Sequence, residues 1–379
     1  MKKRIAVFVS LFLVLLIMGI HLTGQNYIYK SIWYNFPGIY DQIIFEKHII
    51  HKSSVPLKWP LSSEYNKKNL SDSLVHTLES LHSIAFLMIQ NDSVKSERYW
   101  EGASDTSHSN SFSVSKSFIN ALVGRALKMG YIKSLDQKVA AFIPEFETGD
   151  RKNISIRHLL MMSSGLNWDE AYSSLWSQTT KAYYGTDLQS QMLALSSIKK
   201  PGEYVEYKSC DTELLAMVLT KATGMKLSDF FQKELWQPLG AESVAYWSLD
   251  HKDGLEKAYC CLYSNARDMA RLGLLYLHKG NWKGVQLIDT SFIQSSITAS
   301  QLKDPETNLH TDFYGYQWWT IPNYKGLQIY YMRGILGQYV IVIPALKTVI
   351  VRLGHERGNK IYKHFPEVYL MIDEALGLH

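Results

Sequence analysis

Cysteine is scarce in this chain of 379 residues: only Cys210, Cys260 and Cys261. Three cysteines make no disulfide framework, and the adjacency of Cys260 and Cys261 argues against a bridge between them. All three read as buried thiols, and no base stands at a recognisable spacing from Cys210 to make it a nucleophile. Metal-ligand patterns are also missing. There is no His-Glu-x-x-His, and the close pair His48 and His51 has no carboxylate or cysteine cluster to complete a set, so neither metal nor cofactor is expected. Absence of Gly-x-Ser-x-Gly argues against a nucleophile-elbow hydrolase. Charge is nearly balanced. The formal net charge of +5 falls to +2, 37 basic against 35 acidic residues, once Lys2, Lys3 and Arg4 are set aside. The remaining lysines and arginines form no stripe, which argues against nucleic acid as a partner. No internal repeat or low-complexity tract is present.

One long apolar run stands out, from Ile5 to Ile20, directly after Lys2-Lys3-Arg4. Its length lies between a signal-peptide core and a bilayer span, and no small-x-small cleavage site follows. Residues 1–24 therefore read as an uncleaved anchor or a cleaved signal, with positive charge holding the N-terminus inside. Either way the remainder is exported, membrane-anchored or else secreted or periplasmic. Residues 25–75 are aromatic-rich and broken by Phe36-Pro37-Gly38 and Trp59-Pro60. They are expected to wrap the following domain or lie near the membrane surface.

Chemistry concentrates in Ser113-Val114-Ser115-Lys116, which opens a run with Phe118, Ile119, Leu122, Val123, Ala126 and Leu127 at helical spacing. A three-residue offset on a helix puts the hydroxyl and the amine on one face. Serine needs such a base before it becomes nucleophilic, and a buried lysine can lose its proton near neutral pH. Three other Ser-x-x-Lys matches, at Ser196, Ser197 and Ser300, are followed by Pro201 or Asp304-Pro305, where no long helix can start. The plainer reading of Ser113 is a helix-capping serine. Tyr207-Lys208-Ser209 precedes a second apolar helix, Leu214 to Thr223, and a phenol beside an ammonium group can act as a base because positive charge lowers its pKa. Near the end, Tyr331 to Val340 reads as a strand pair bent at Gly334, where a ligand could approach the backbone closely. His355, at a strand end, is an alternative base.

With Ser113-x-x-Lys116, Tyr207-x-Ser209 and this glycine-bearing late strand, the chain resembles the penicillin-recognising serine hydrolases of the class C β-lactamase-related branch, over residues 80 to 375. Ile156 to Leu166, Ala266 to Gly273, Pro238-Leu239-Gly240 and Tyr314 to Trp319 agree with that family's habits. The resemblance implies Ser113, Lys116 and Tyr207 as catalytic residues. It also implies an oxyanion hole from the backbone N–H groups of Ser113 and Ile335, with substrate held near Ser209, Gly334 and Gly337. Tyr172 is similar to a tyrosine that closes over substrate in one subgroup. Two departures matter. Ser209 replaces an asparagine, and Met332-Arg333-Gly334 replaces Lys-Thr-Gly, with Arg333 expected to point away from the site. The motifs are closer to 6-aminohexanoate-dimer hydrolases and related esterases, so the expected substrate is a small ester or linear amide. A β-lactamase or DD-peptidase, or a catalytically silent membrane-anchored sensor, is the alternative.

The fold expected is α+β, a sandwich of the β-lactamase/transpeptidase type, occupying residues 76–379. Its antiparallel sheet has five strands: a hairpin from Ser83 to Trp100 and three strands between Leu327 and Gly354. Helices and loops from Ser113 to Gln301 form an inserted lobe, with the site at the junction, and a helix from Phe365 to Leu376 closes the domain.

Overall fold

The computed structural model describes residues 2–378. The chain begins with helices α1 (Lys2–Leu22) and α2 (Tyr27–Tyr34), then strand β1 (Lys47–Ile50) and helix α3 (Asp72–Ser80). The hairpin of β2 (Ser83–Gln90) and β3 (Ser93–Tyr99) follows. It turns at Asn91 and Asp92, whose φ values of 50° and 60° are those a tight two-residue turn demands. The middle of the chain holds β4 (Ser109–Asn110), α4 (Ser115–Lys128), α5 (Ile156–Leu160), α6 (Gln178–Tyr184), α7 (Leu188–Leu193), α8 (Ser209–Thr223) and α9 (Leu227–Phe231). Next come β5 (Ala245–Ser248), β6 (Leu262–Ser264), α10 (Ala266–Leu277), the small hairpin β7 (Asn281–Trp282) and β8 (Val285–Gln286), and α11 (Thr290–Ile297). The last part is β9 (Trp319–Tyr324), β10 (Leu327–Gly334), β11 (Gln338–Ile343), β12 (Thr348–Gly354) and α12 (Pro366–Leu376).

The main sheet is antiparallel throughout, in the order β3-β2-β12-β11-β10-β9. It has six strands rather than the expected five. The extra strand, β9, lies at the edge, where the exposed Pro322 costs no ladder hydrogen bond and so disguises the segment in sequence. Both faces of this sheet are covered, which explains its near-continuous apolar strands. Ala85, Leu87, Ile89, Val340, Val342, Val349 and Val351 join the larger core beneath α4, α8 and α10. Phe86, Met88, Ile341, Ile343 and Ile350 join a second core beneath α3 and α12. Two-residue periodicity thus sorts each strand between two hydrophobic layers.

A second antiparallel sheet, β1-β5-β6-β4, takes its two inner strands, β5 and β6, from the region read as helices and loops. Its edge strand β1 comes from residues 25–75, so this extension is part of the folded body as well as aromatic-rich. Strands this short carry too little pattern to be seen in sequence. β4 leads straight to Ser113, so the second sheet sets the approach to the site.

Candidate active site

Ser113 occupies a short 3₁₀ turn, Phe112–Val114, that runs into α4. Phe112 before it takes φ 44°, a left-handed backbone unfavourable for a bulky side chain. The Asn110 side chain maintains it: its Oδ1 accepts from the backbone N–H of Phe112 (2.9 Å) and of Cys261 (3.1 Å). The strained turn leaves Ser113 half-exposed between buried neighbours, and no side-chain cap bond forms at the start of α4. The capping role is therefore excluded. Helix α4 is locked by Ser115, which donates to Ala258 O (2.9 Å), and Ser117, which donates to Gln317 O (2.7 Å).

Lys116 is buried one turn on, and its Nζ donates to Ser113 Oγ (2.9 Å), Ser209 Oγ (3.2 Å) and Tyr259 O (2.7 Å). Burial pushes its pKa down to about 8, against the opposing pull of Glu170 and Glu213. A lysine so placed is neutral in a useful fraction of molecules near physiological pH.

Tyr207 lines the same cleft as Ser113, and its ring lies 5.1 Å from Lys116 Nζ. Its phenol departs from the sequence expectation. Burial, aided by Glu170, raises its pKa above the usual tyrosine value, outweighing Ser113, Arg333 and Arg357, which act to lower it. The positive charge read from sequence is present but loses to desolvation. Tyr207 is thus a neutral O–H donor, and Lys116 is the group suited to take a proton.

Glu170 was missed in the sequence. Its carboxylate accepts from Ser209 N (2.7 Å), Ser209 Oγ (2.7 Å), Tyr172 OH (2.6 Å) and Trp168 Nε1 (2.7 Å). It therefore places both Ser209 and Tyr172, two expected substrate contacts, and carries the charge that holds up the Lys116 pKa. Nothing in the sequence ties position 170 to position 209. Glu170→Gln is expected to lower the Lys116 pKa, moving the acid limb of a kcat/KM–pH profile down by about half a unit to one unit. An unmoved midpoint would remove Glu170 from the network.

The strand end of β10 completes the site. A Cβ on Gly334 would lie 2.5 Å from Ser111 O and 3.1 Å from the Phe112 Cβ, so only glycine lets β10 pass so close to the Ser113 turn. That approach brings Ile335 beside Ser113, and both line the same two cavities. The next residues are clamped by buried Arg352, which donates to Leu336 O (2.9 Å), Gly337 O (2.8 Å), Glu356 O (2.7 Å), Leu81 O (2.6 Å) and Ser83 Oγ (2.9 Å). Gly337 sits over this guanidinium at φ 78° and lines neither cavity at Ser113, so its role is in the turn rather than at substrate. His355 lies 3.4 Å from Glu101 and likewise lines neither cavity.

Two cavities meet at Ser113. One, of about 180 Å³, is walled by Tyr172, Tyr183, Tyr259, Phe36 and Pro37. The other, of about 430 Å³, carries Tyr207, Trp319 and Phe313 together with Arg333, Arg357, Lys360 and Lys363. Here a second expectation is corrected. Met332 is fully buried in the larger core, and Arg333 points the opposite way, as strand alternation requires, but that direction opens on the cleft. Its guanidinium lies 3.2 Å from the Trp319 ring centre and donates to Lys363 O (2.7 Å). The cysteines bring a third. Cys260 and Cys261 are joined by a disulfide, with Cys261 in the left-handed region (φ 66°), and Cys260 lines the smaller cavity. Cys210 alone remains a buried thiol.

A half-exposed serine, a buried lysine one turn later and a tyrosine in the same cleft form the arrangement expected of a serine hydrolase. The beta-lactamase family model matches residues 72–361, and the chain belongs to that family. It is 26% identical over 296 residues to a 6-aminohexanoate-dimer hydrolase of Paenarthrobacter ureafaciens, covering 74% of each chain. Among solved structures, it is similar to a Bacillus anthracis protein assigned as a 6-aminohexanoate-dimer hydrolase, with TM-score 0.77, 21% identity, and 89% of this chain and 93% of that one covered. A family VIII carboxylesterase matches with TM-score 0.65 and 15% identity, over 85% of this chain and 99% of the other. These likenesses confirm the α+β fold of the β-lactamase and penicillin-binding-protein type.

Proposed function

We propose that this protein is an exported hydrolase of carboxyl esters or linear amides that works through an acyl-enzyme on Ser113. The observation that carries the reading is the 2.9 Å contact between buried Lys116 Nζ and the half-exposed Ser113 Oγ, with the lysine pKa drawn down to about 8. Neutral Lys116 takes the Ser113 proton as Oγ attacks the carbonyl carbon. The tetrahedral oxyanion is held by the N–H groups of Ser113 and Ile335, worth about 3 kcal/mol per donor in comparable sites. Tyr207 passes a proton to the departing alcohol or amine, and water then releases the acid from Ser113. The apolar stretch of α1, preceded by Lys2, Lys3 and Arg4, supports the export in this reading.

One observation favours a second reading. Arg333 and Arg357 line the cleft without a salt-bridge partner among the described residues, and could hold the carboxylate of a β-lactam. Against it, Ser209 has no amide to offer and is engaged by Lys116 and Glu170. The full chain in detergent, assayed on p-nitrophenyl butyrate, short linear amides and nitrocefin, separates the two. Butyrate kcat/KM is expected to exceed that for nitrocefin by at least about tenfold. Nitrocefin equal to or above the ester would install the β-lactamase reading, and a single acylation without turnover would mean a sensor.

A further inference from the structure

We propose that the Ser113 site opens at the membrane surface, with α2 lying in the bilayer interface. The smaller cavity would then take the apolar chain of a membrane-borne ester or amide. This inference rests on the hydrolase reading above and names its substrate class.

The starting point is α1. Its 21 residues span about 31 Å, the thickness of a bilayer core, and an 18-residue stretch within it has mean hydropathy 2.8, yet only 6% of that apolar stretch is buried by protein. Helix α2 begins at Tyr27, five residues after α1 ends at Leu22. Even fully extended, that link spans less than about 20 Å. It is in fact turned tightly, with Gln25 N donating to Ile20 O (2.9 Å) and Ile28 N to Gln25 O (3.0 Å). The junction is also fixed to the catalytic body. Ile20, Tyr27 and Ile28 belong to the main core, Tyr27 OH donates to Leu175 O (3.0 Å), and Tyr184 OH donates to Asn35 O (3.0 Å). A bilayer holding α1 must therefore meet the body at α2.

The surface presented there has the matching chemistry. Trp33 is 82% exposed, Ile43 81%, Trp176 70% and Ile32 63%, with Tyr29 and Phe36 also turned outward. Tryptophan and tyrosine flanked by aliphatic side chains form the usual interfacial belt, with rings seated at the headgroup level. The same segment walls the site. Ser31, Asn35, Phe36 and Pro37 line the smaller cavity together with Ser113 and Ile335. An apolar chain leaving the bilayer at α2 thus has a direct path to the nucleophile. The polar remainder of the molecule faces the cleft of Arg333 and Arg357 on the far side of Ser113. Hydrolysis breaks the bond from acyl carbon to oxygen or nitrogen, and the Ser113 proton leaves with the alcohol or amine. Water then supplies the hydroxyl of the released acid.

The test uses the full chain in phosphatidylcholine vesicles and the double variant Trp33→Ser, Trp176→Ser, whose two side chains line neither cavity. Brominated phosphatidylcholine should quench tryptophan fluorescence more in the parent than in the double variant. On p-nitrophenyl dodecanoate held in the vesicles, the double variant should lose at least fivefold in rate, while water-soluble p-nitrophenyl acetate stays within twofold. In the parent, dodecanoate should exceed acetate by at least tenfold, since each buried methylene contributes roughly three- to fourfold. Equal quenching, or equal dodecanoate rates in the two proteins, overturns interfacial docking. Acetate hydrolysed faster than dodecanoate overturns the acyl pocket. Loss of hydrolysis on every ester with quenching intact refutes the hydrolase reading and the acyl pocket with it, and leaves the docking of α2 supported.

Discussion

Ser113→Ala should lower kcat on a short-chain ester by a factor on the order of 10⁴ or more, because the other hydroxyl at Lys116, Ser209 Oγ, is tied to the Glu170 carboxylate. The fold should survive. Ser113 is half-exposed and caps no helix, so the stability cost stays below about 1 kcal/mol. Lys116 keeps Ser209 and Tyr259 as partners after the hydroxyl is removed, so no buried amine is stranded. Circular dichroism and a thermal melt beside the rate assay check both halves. Substantial turnover by the alanine variant would place the nucleophile elsewhere.

The second large effect belongs to the proton-transfer pair. Lys116→Ala and Tyr207→Phe should each reduce kcat by about 10²- to 10⁴-fold. The double variant should be little worse than the poorer single, because both groups act on one proton. Additive losses would show independent roles. The pH profile separates the two functions. With Lys116 near 8 and active when neutral, kcat/KM should rise about tenfold per unit below that value and level off above it. Tyr207, kept protonated by burial and by Glu170, should add no falling limb near neutrality. A profile flat from pH 5 to 9 would contradict Lys116 as the base.

Much of the site was legible in the chain. Ser113 and Lys116 meet as their spacing implied, since one helical turn fixes the pair, and Tyr207, joined to them by the family resemblance, reaches the same cleft from the loop before α8. The hairpin at Asn91-Asp92 and the closing helix α12 were readable from turn residues and periodicity. Edge strand β9 was not, because Pro322 imitates a loop, and β1, β4, β5 and β6 are too short to show a pattern. Glu170 and Arg352 escaped for a different reason. Their partners lie far along the chain: Glu170 accepts from Ser209, 39 residues away, and Arg352 donates to Leu81, 271 residues away.

By itself, then, the sequence determined the family, the one-turn pairing of Ser113 with Lys116, and the apolar helix at the front, all of which are local patterns of spacing and hydropathy. Only tertiary structure decided which way charge would act. It raised the Tyr207 pKa where the sequence suggested a lowered one, because burial outweighed the nearby cations. It turned Arg333 into the cleft while sinking Met332 in the core, and it joined Cys260 to Cys261. It also laid α2 across the cavity beside Ser113. Each of these outcomes depends on desolvation or on contacts between distant segments, and those quantities exist only once the chain has folded.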